Sequence, residues 1–290
     1  MMHDRGSFGG ALIAIGFLYL WLIQFPLKAG QAWAWWLLIL SGTVGFGSFL
    51  TFLGYGYCDT WHALGTLVIL PPFVVGLVRS RAWPSGPRDW RVLIQPGIAL
   101  DWRNTAGFGR LLLLFVAAGL TVGGLTIMTV GTTCVFVPQD LHYLGLTVAD
   151  LHAMNPRLVP LIAHDRAGFG GAVFCFGLTM LVTVWCARPS RSLWQTLALA
   201  GTVGFATAIG VHPAIGYNDP VHLAPAVSGA IVYAAGLALT ARSWLGTQAR
   251  EQRCSSVAMK SVPSTAAPSK SSAFPAWSSW RTPAAAPPSC

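Results

Sequence analysis

Charged residues are scarce in this sequence: Asp, Glu, Lys and Arg together make up 9% of its 290 residues. Soluble domains contain about 25%, so the scarcity excludes an ordinary soluble enzyme and a disordered protein. The 18 Lys and Arg residues are also too few and too scattered to form a surface for nucleic acid, despite a net charge of +9. The sequence has no Walker loop, no G-x-S-x-G turn, no C-x-x-C pair and no H-E-x-x-H motif. No enzyme class is therefore indicated by a motif.

Long apolar runs, by contrast, are abundant. Hydrophobic residues make up 54% of the chain, and the mean hydropathy is +0.58. Seven runs contain no Asp, Glu, Lys or Arg, and each is long enough for a helix to cross about 30 Å of hydrocarbon. They cover roughly residues 7–27, 33–53, 62–78, 111–131, 168–187, 193–213 and 221–241. We therefore predict an all-α polytopic transmembrane helical bundle of about seven spans, whose main partner is the lipid bilayer.

The distribution of basic residues predicts how the spans are oriented. Loops opposite the N-terminus hold nine Lys or Arg residues, loops on the N-terminal side hold three, and the C-terminal tail holds six. Because cytoplasmic loops are enriched in these residues, we predict a multi-pass protein of the bacterial inner membrane. Its N-terminus lies outside and its C-terminus in the cytoplasm. All seven histidines then fall on the outer side: His3, His62, His142, His152, His164, His212 and His222.

The sequence contains an apparent internal duplication. Three blocks recur in order: residues 3–11 as 164–172 (HDR-x-x-FGGA), 42–46 as 201–205 (GTVGF), and 56–62 as 216–222 (GY-x-D-x-x-H). The offsets are 161, 159 and 160 residues, so small insertions suffice to align them. Four spans precede the second copy, which predicts parallel three-span repeats with both HDR segments and both GY-x-D-x-x-H segments on the outer side.

The duplication defines five predicted segments. They are a first three-span repeat (1–79), a cytoplasmic interfacial loop (80–110), a linking span with an outer leader (111–163), a second three-span repeat (164–245), and a disordered Ser/Ala/Pro-rich tail (246–290). Within the leader, Thr147 and Asp150 form a capping-box pattern that predicts a short helix. The first copy has no such leader, so we expect an eighth span upstream of Met1.

The interfacial loop combines tryptophans with arginines, which suits the headgroup region of a membrane. We expect its aromatic rings to lie at headgroup level and its arginines to face anionic lipid. The residues concerned are Trp83, Trp90, Trp102, Arg88, Arg91, Arg103 and Arg110.

The two repeated blocks and the leader FVPQD…LGLT…NPR resemble a family of bacterial polytopic membrane proteins. Some of its members are labelled as, or joined to, dihydroorotate dehydrogenase-like domains. The resemblance covers residues 1 to about 245 and implies a duplicated helical bundle without an established activity. This sequence has no flavin-binding barrel, so the dehydrogenase label does not carry over to it.

The duplicated polar residues are the predicted functional site. Asp and His three positions apart share one face of a helix, where they can chelate a metal or let the carboxylate orient the imidazole as a base. Together with the His and Asp of HDR in the same repeat, they suit a divalent transition metal such as zinc, iron or manganese. The candidates are His3, Asp4, Arg5, Asp59, His62, His164, Asp165, Arg166, Asp219 and His222.

Other interpretations of these residues stay open. Asp4 and Asp165 can cap helices that begin at HDR, and Asp–Arg pairs with buried histidines can simply tie loops to helices. Haem held by two histidines across the repeats is less favoured, because the histidines lie at helix ends. The functional alternatives are a metal-dependent enzyme acting on a lipid or quinone-like substrate, and a transporter. A redox partner in the membrane or cytoplasm is also left open.

Overall fold

The computed structural model describes residues 2–50, 60–85 and 89–246, except for the side chain of His62. Regular secondary structure in these ranges is helical, and seven helices are long and apolar enough to cross a membrane. The predicted all-α bundle of seven spans is therefore confirmed, and the chain is a multi-pass membrane protein. The Ser/Ala/Pro-rich tail lies outside the described residues from position 247 onward.

The described helices follow the predicted spans closely. They are α1 (Met2–Leu22, extended by a π-helical turn, Ile23–Leu27), α2 (Ala32–Leu50), α3 (Thr60–Ser80), α4 (Thr105–Thr132), α5 (Pro138–Leu144), α6 (Val148–Met154), α7 (Leu158–Cys186), α8 (Arg191–Ile215) and α9 (Pro220–Leu245). The short α6 begins at the predicted capping box: the Thr147 hydroxyl accepts from the Asp150 backbone N–H, and Asp150 accepts from the Thr147 backbone N–H.

One predicted boundary is wrong. The fifth span was expected to begin near residue 168, with the second HDR segment at its start, but α7 begins at Leu158. Its first turns are the apolar residues 158–163, with Pro160 in the first turn, where proline removes no helical hydrogen bond. Asp165 therefore lies seven residues inside the helix and does not cap its N-terminus.

Helix α7 is the central element of the bundle. In its most apolar stretch 67% of the residues are buried, compared with 11–39% in the other six long helices. It packs against α4, α2 and α1, while α4 also packs on α9, and α1 packs on α8. The first helix of each predicted repeat thus lies against the second helix of the other. The duplication itself stays a prediction.

Glycines bring α4 and α7 into backbone contact. A Cβ atom added at Gly124 would overlap the backbone of Phe174, and one added at Gly170 would overlap the backbone of Met128. Lipid tails are as apolar as the helices, so membrane helices associate through close packing, which small residues permit. This contact fixes α4 against the central helix.

Arg110 differs from its predicted position at the lipid surface. It lies in α4 and is 2% exposed, and its guanidinium donates to the carbonyls of Val184 (3.0 Å), Trp185 (2.7 Å) and Ile98 (2.9 Å). Two of these carbonyls belong to the last turn of α7, where helical carbonyls lack intrahelical donors. The expectation that Arg110 faces anionic lipid is therefore wrong: it caps α7 and ties the 89–104 segment to the bundle.

The glycine contact gives a first prediction, with an adjacent residue as its control. We expect Gly124→Ala to lower the midpoint of thermal unfolding, because overpacking against a backbone costs about 1–3 kcal/mol. Gly123→Ala should leave it unchanged or slightly raised, because an added Cβ there has open space and alanine is the better helix former. Both variants would be compared in one detergent; equal midpoints would contradict the assigned contact.

Candidate functional site

Three histidines meet at one end of the bundle. His3 lies in the first turn of α1, His212 in the last turn of α8 and His222 in the first turn of α9. Each offers a ring nitrogen, and these three atoms lie within 4.8 Å of one another. The ring centroids are 4.6 Å apart for His3–His212 and 5.4 Å for the other two pairs.

A tight turn positions two of the three rings. Helix α8 ends at Ile215 and is followed by Gly216, whose positive φ of 74° suits glycine. Helix α9 begins at Pro220. The carboxylate of Asp219 accepts the backbone N–H of His222 at 2.7 Å and so caps α9. The turn therefore brings His212 and His222 together, and Asp219 serves the helix backbone.

His212 was not among the predicted site residues. It is 3% exposed, and in the described structure neither ring nitrogen makes a hydrogen bond of good geometry, although the backbone carbonyls of Ala208 and Ile209 lie near the ring. The duplication does not mark this position: at offsets of 160 or 159, His212 aligns with Phe52 or Leu53 of the first predicted repeat. Its place on the outer side with the other histidines was the available signal.

The side chain of Asp4 orients His3. The Nδ1 atom of His3 lies 2.7 Å from Oδ1 of Asp4, which is 4% exposed. An ionised carboxylate can accept hydrogen bonds but not donate them. We therefore assign the ring proton of His3 to Nδ1 and its free lone pair to Nε2. The other Asp4 oxygen lies 3.9 Å from Nε of Arg166, which places a positive charge behind the carboxylate.

The two HDR segments are joined by crossed ion pairs. Arg5 donates to both carboxylate oxygens of Asp165, at 2.8 and 3.3 Å, while Arg166 pairs with Asp4. Each arginine pairs with the aspartate of the other segment. The pairs therefore join two helices, whereas the Asp–Arg pairs of the open interpretation tie a loop to a helix.

Arg166 also holds the leader segment. Its Nη1 atom donates to the carbonyl of Val135 at 2.7 Å and to Oδ2 of Asp140, in α5, at 2.6 Å. Asp140 was not predicted as a site residue. The arginine thus connects the α5 region to the acid that orients His3.

The remaining predicted residues are distributed differently. His164 is buried on α7, with its ring 6.0 Å from that of Phe49, and it is not one of the three clustered histidines. Asp59 and the side chain of His62 lie outside the described residues, so the predicted grouping of His3 with them stays a prediction. The described partners of His3, namely His212 and His222, come from the second predicted repeat.

A cavity of about 800 Å³ extends from the histidine cluster into the bundle. It is lined by residues of α1, α4, α7, α8 and α9, and by Gln139 of α5. Two buried hydroxyls near the cluster have no hydrogen-bond partner in the described structure: that of Ser7, which lines the cavity, and that of Tyr217, whose ring lies 5.0 Å from His222. Burial raises the pKa of Tyr217, so this phenol stays protonated at neutral pH.

Comparison of the chain with protein-family models, with curated proteins and with solved structures finds no match. The assignment of a role therefore depends on the geometry of the site.

The contacts of Arg166 give a second prediction. Arg166→Ala should release the α5 region, because hydrogen bonds to charged groups are worth about 1.5 kcal/mol or more. We expect backbone amides in residues 135–146 to exchange about tenfold faster or more, measured by hydrogen-exchange mass spectrometry. Arg157→Ala, at an exposed position, is the control and should leave their exchange unchanged. Unaltered exchange in Arg166→Ala would contradict the anchoring role.

Proposed function

We propose that this membrane protein binds a transition-metal ion through His3, His212 and His222. The observation that carries the proposal is the convergence of three imidazoles, one of them the buried ring of His212, each with a ring nitrogen within 4.8 Å of those of the other two. Leaving a buried polar group unpaired costs about 1–3 kcal/mol, and a metal ion would satisfy one nitrogen of each ring.

The geometry supports this proposal. Metal–nitrogen distances of about 2.0–2.1 Å place the ligands of a tetrahedral ion roughly 3.3 Å apart, so ring nitrogens within 4.8 Å need only small rotations. The Asp4–His3 hydrogen bond has the carboxylate–histidine arrangement that commonly orients metal ligands. It also leaves the Nε2 lone pair of His3 available to an ion.

The ligand set favours some metals over others. Three neutral imidazoles suit zinc, copper, iron or nickel, whereas manganese prefers carboxylates, and the clustered ligands include none. Three protein ligands leave a fourth coordination position for water or substrate, as in catalytic zinc sites. That open position and the adjoining cavity favour a metal-dependent enzyme acting on a lipophilic molecule as the second candidate function.

The proposed setting is the bacterial inner membrane, with the histidine cluster on the outer side. The distribution of Lys and Arg supports this orientation. A transporter is less well supported, because the seven spans carry few polar residues through their middle.

The third prediction tests the metal site directly. Protein purified in detergent without chelator, offered zinc, copper or iron and then desalted, should retain about one equivalent of one of these metals by elemental analysis. His212→Ala should lose it, because two imidazoles no longer enclose the ion. His152→Ala, which removes an exposed histidine of α6, is the control and should retain it.

Two outcomes would contradict the metal site. One is wild-type protein that binds none of the offered metals. The other is a folded His212→Ala variant that binds as much metal as wild type does.

The fourth prediction separates orientation of the ligand from general charge pairing. Asp4→Asn should weaken metal binding about 10–100-fold, as loss of a carboxylate behind a ligating histidine typically does. Asp165→Asn changes the corresponding acid of the other HDR segment, which pairs with Arg5, and should leave affinity unchanged. Competition with a chromophoric chelator would measure both affinities, and equal losses would argue against a specific role for Asp4.

A further inference from the structure

We propose that the cavity beside the histidine cluster binds a neutral, quinone-type lipid that enters sideways from the bilayer between α4 and α9. The cavity adjoins the proposed metal site, but its shape and lining argue for this ligand without a metal. The two proposals can therefore fail separately.

The first argument is the lining of the cavity. None of the described residues that line it is Asp, Glu, Lys or Arg, and most are apolar. Its polar groups include three imidazoles, the Ser7 hydroxyl and the Gln139 amide. A charged phospholipid headgroup would find no counter-charge in this lining, whereas the carbonyl or hydroxyl oxygens of a neutral ring can exchange hydrogen bonds with these groups.

The second argument is the aromatic character of the apolar part. Four phenylalanines contribute to the lining: Phe115, Phe169, Phe176 and Phe205. Aromatic side chains pack well against flat rings, in offset or edge-to-face arrangements. A volume of about 800 Å³ holds a substituted quinone ring and the first part of its tail, since small-molecule sites span roughly 300–1,000 Å³.

The third argument is the route by which a lipid can enter the cavity. Helices α4 and α9 touch near one end, where a Cβ added at Gly109 would lie 2.9 Å from the carbonyl oxygen of Gly236. Further along α4, towards the histidine end, Gly119 and Gly123 line the cavity, and a Cβ added at either has open space. The two helices therefore separate towards the cluster.

The separation opens on the outside of the helical bundle. Phe115 of α4 and Val221 of α9 both line the cavity, yet they are 70% and 73% exposed. A molecule dissolved in the bilayer can therefore reach the cavity without crossing water. Its polar ring would lie towards His212 and Ser7, with its tail extending between the helices into lipid.

The test uses the full chain in nanodiscs made from quinone-free phospholipid, with decylubiquinone as the probe. Empty nanodiscs correct for partition into lipid, and retained quinone is measured by extraction and chromatography. Gly123→Leu and Gly119→Leu each fill the cavity from α4 at positions with open space. Gly47→Leu, on α2, also has open space at its Cβ but does not line the cavity, so it is the matched control.

We expect wild type and Gly47→Leu to retain about one equivalent above empty nanodiscs. The two cavity-filling variants should bind at least tenfold more weakly. No retention above empty nanodiscs would overturn the proposal, as would equal retention in all four proteins. Tight retention of phospholipid by the purified protein, with no displacement by decylubiquinone, would also overturn it.

Repeating the titration with chelator-treated protein distinguishes the two proposals. Quinone binding that persists without metal, and is lost in Gly123→Leu, supports the cavity whatever elemental analysis shows. Metal binding without any quinone binding would support the metal-site proposal and overturn the lipid proposal.

Discussion

The ion pair between Asp4 of α1 and Arg166 of α7 is the constraint on which the histidine cluster depends. Asp4 and Asp165 are buried, and a buried ionised side chain must be paired, because the protein interior gives it little solvation. Arg5 meets this requirement with Asp165, and Arg166 with Asp4. Since Asp4 also holds the ring of His3, the pairing that neutralises these charges also sets the direction of a cluster ligand. A substitution of Arg166 is therefore expected to alter the orientation of the His3 ring through Asp4, which contacts both residues.

Hydropathy was sufficient to predict the seven spans, because each crosses hydrocarbon as an uninterrupted helix. The Thr147–Asp150 pattern was sufficient for α6, because a capping box is a local interaction. The start of α7 was misplaced because the HDR segment looked like a helix start, whereas the apolar residues before it continue the same helix. Arg110 was misplaced for a related reason: its sequence neighbourhood gives no sign of the α7 carbonyls that it binds.

The sequence predicted most of the residues in the histidine cluster and the ion pairs. It did not predict which of these residues contact one another. Spacing along one helix shows which side chains share a face. It therefore predicted sites made of His and Asp residues from the same repeat. Contacts between the repeats depend on which helices pack together, and here α1 lies on α8. The two halves also differ: Gly170 and Gly177 pack against α4, while Gly9 and Gly16, at an offset of 161, meet no atom within 4 Å of an added Cβ. His212 has no histidine at the corresponding position of the first predicted repeat, so the duplication pattern does not indicate it.

The histidine cluster draws on both ends of the described chain. His3 belongs to α1, whereas His222 belongs to α9, the last described helix, and His212 to α8, the helix before it. During synthesis the cluster therefore stays incomplete while the six described spans before α9 are inserted. It closes only when α9 enters the bilayer and turns back on α8. Closure of the cluster thus marks the insertion of α9, and a chain arrested before α9 carries His3 and His212 without His222.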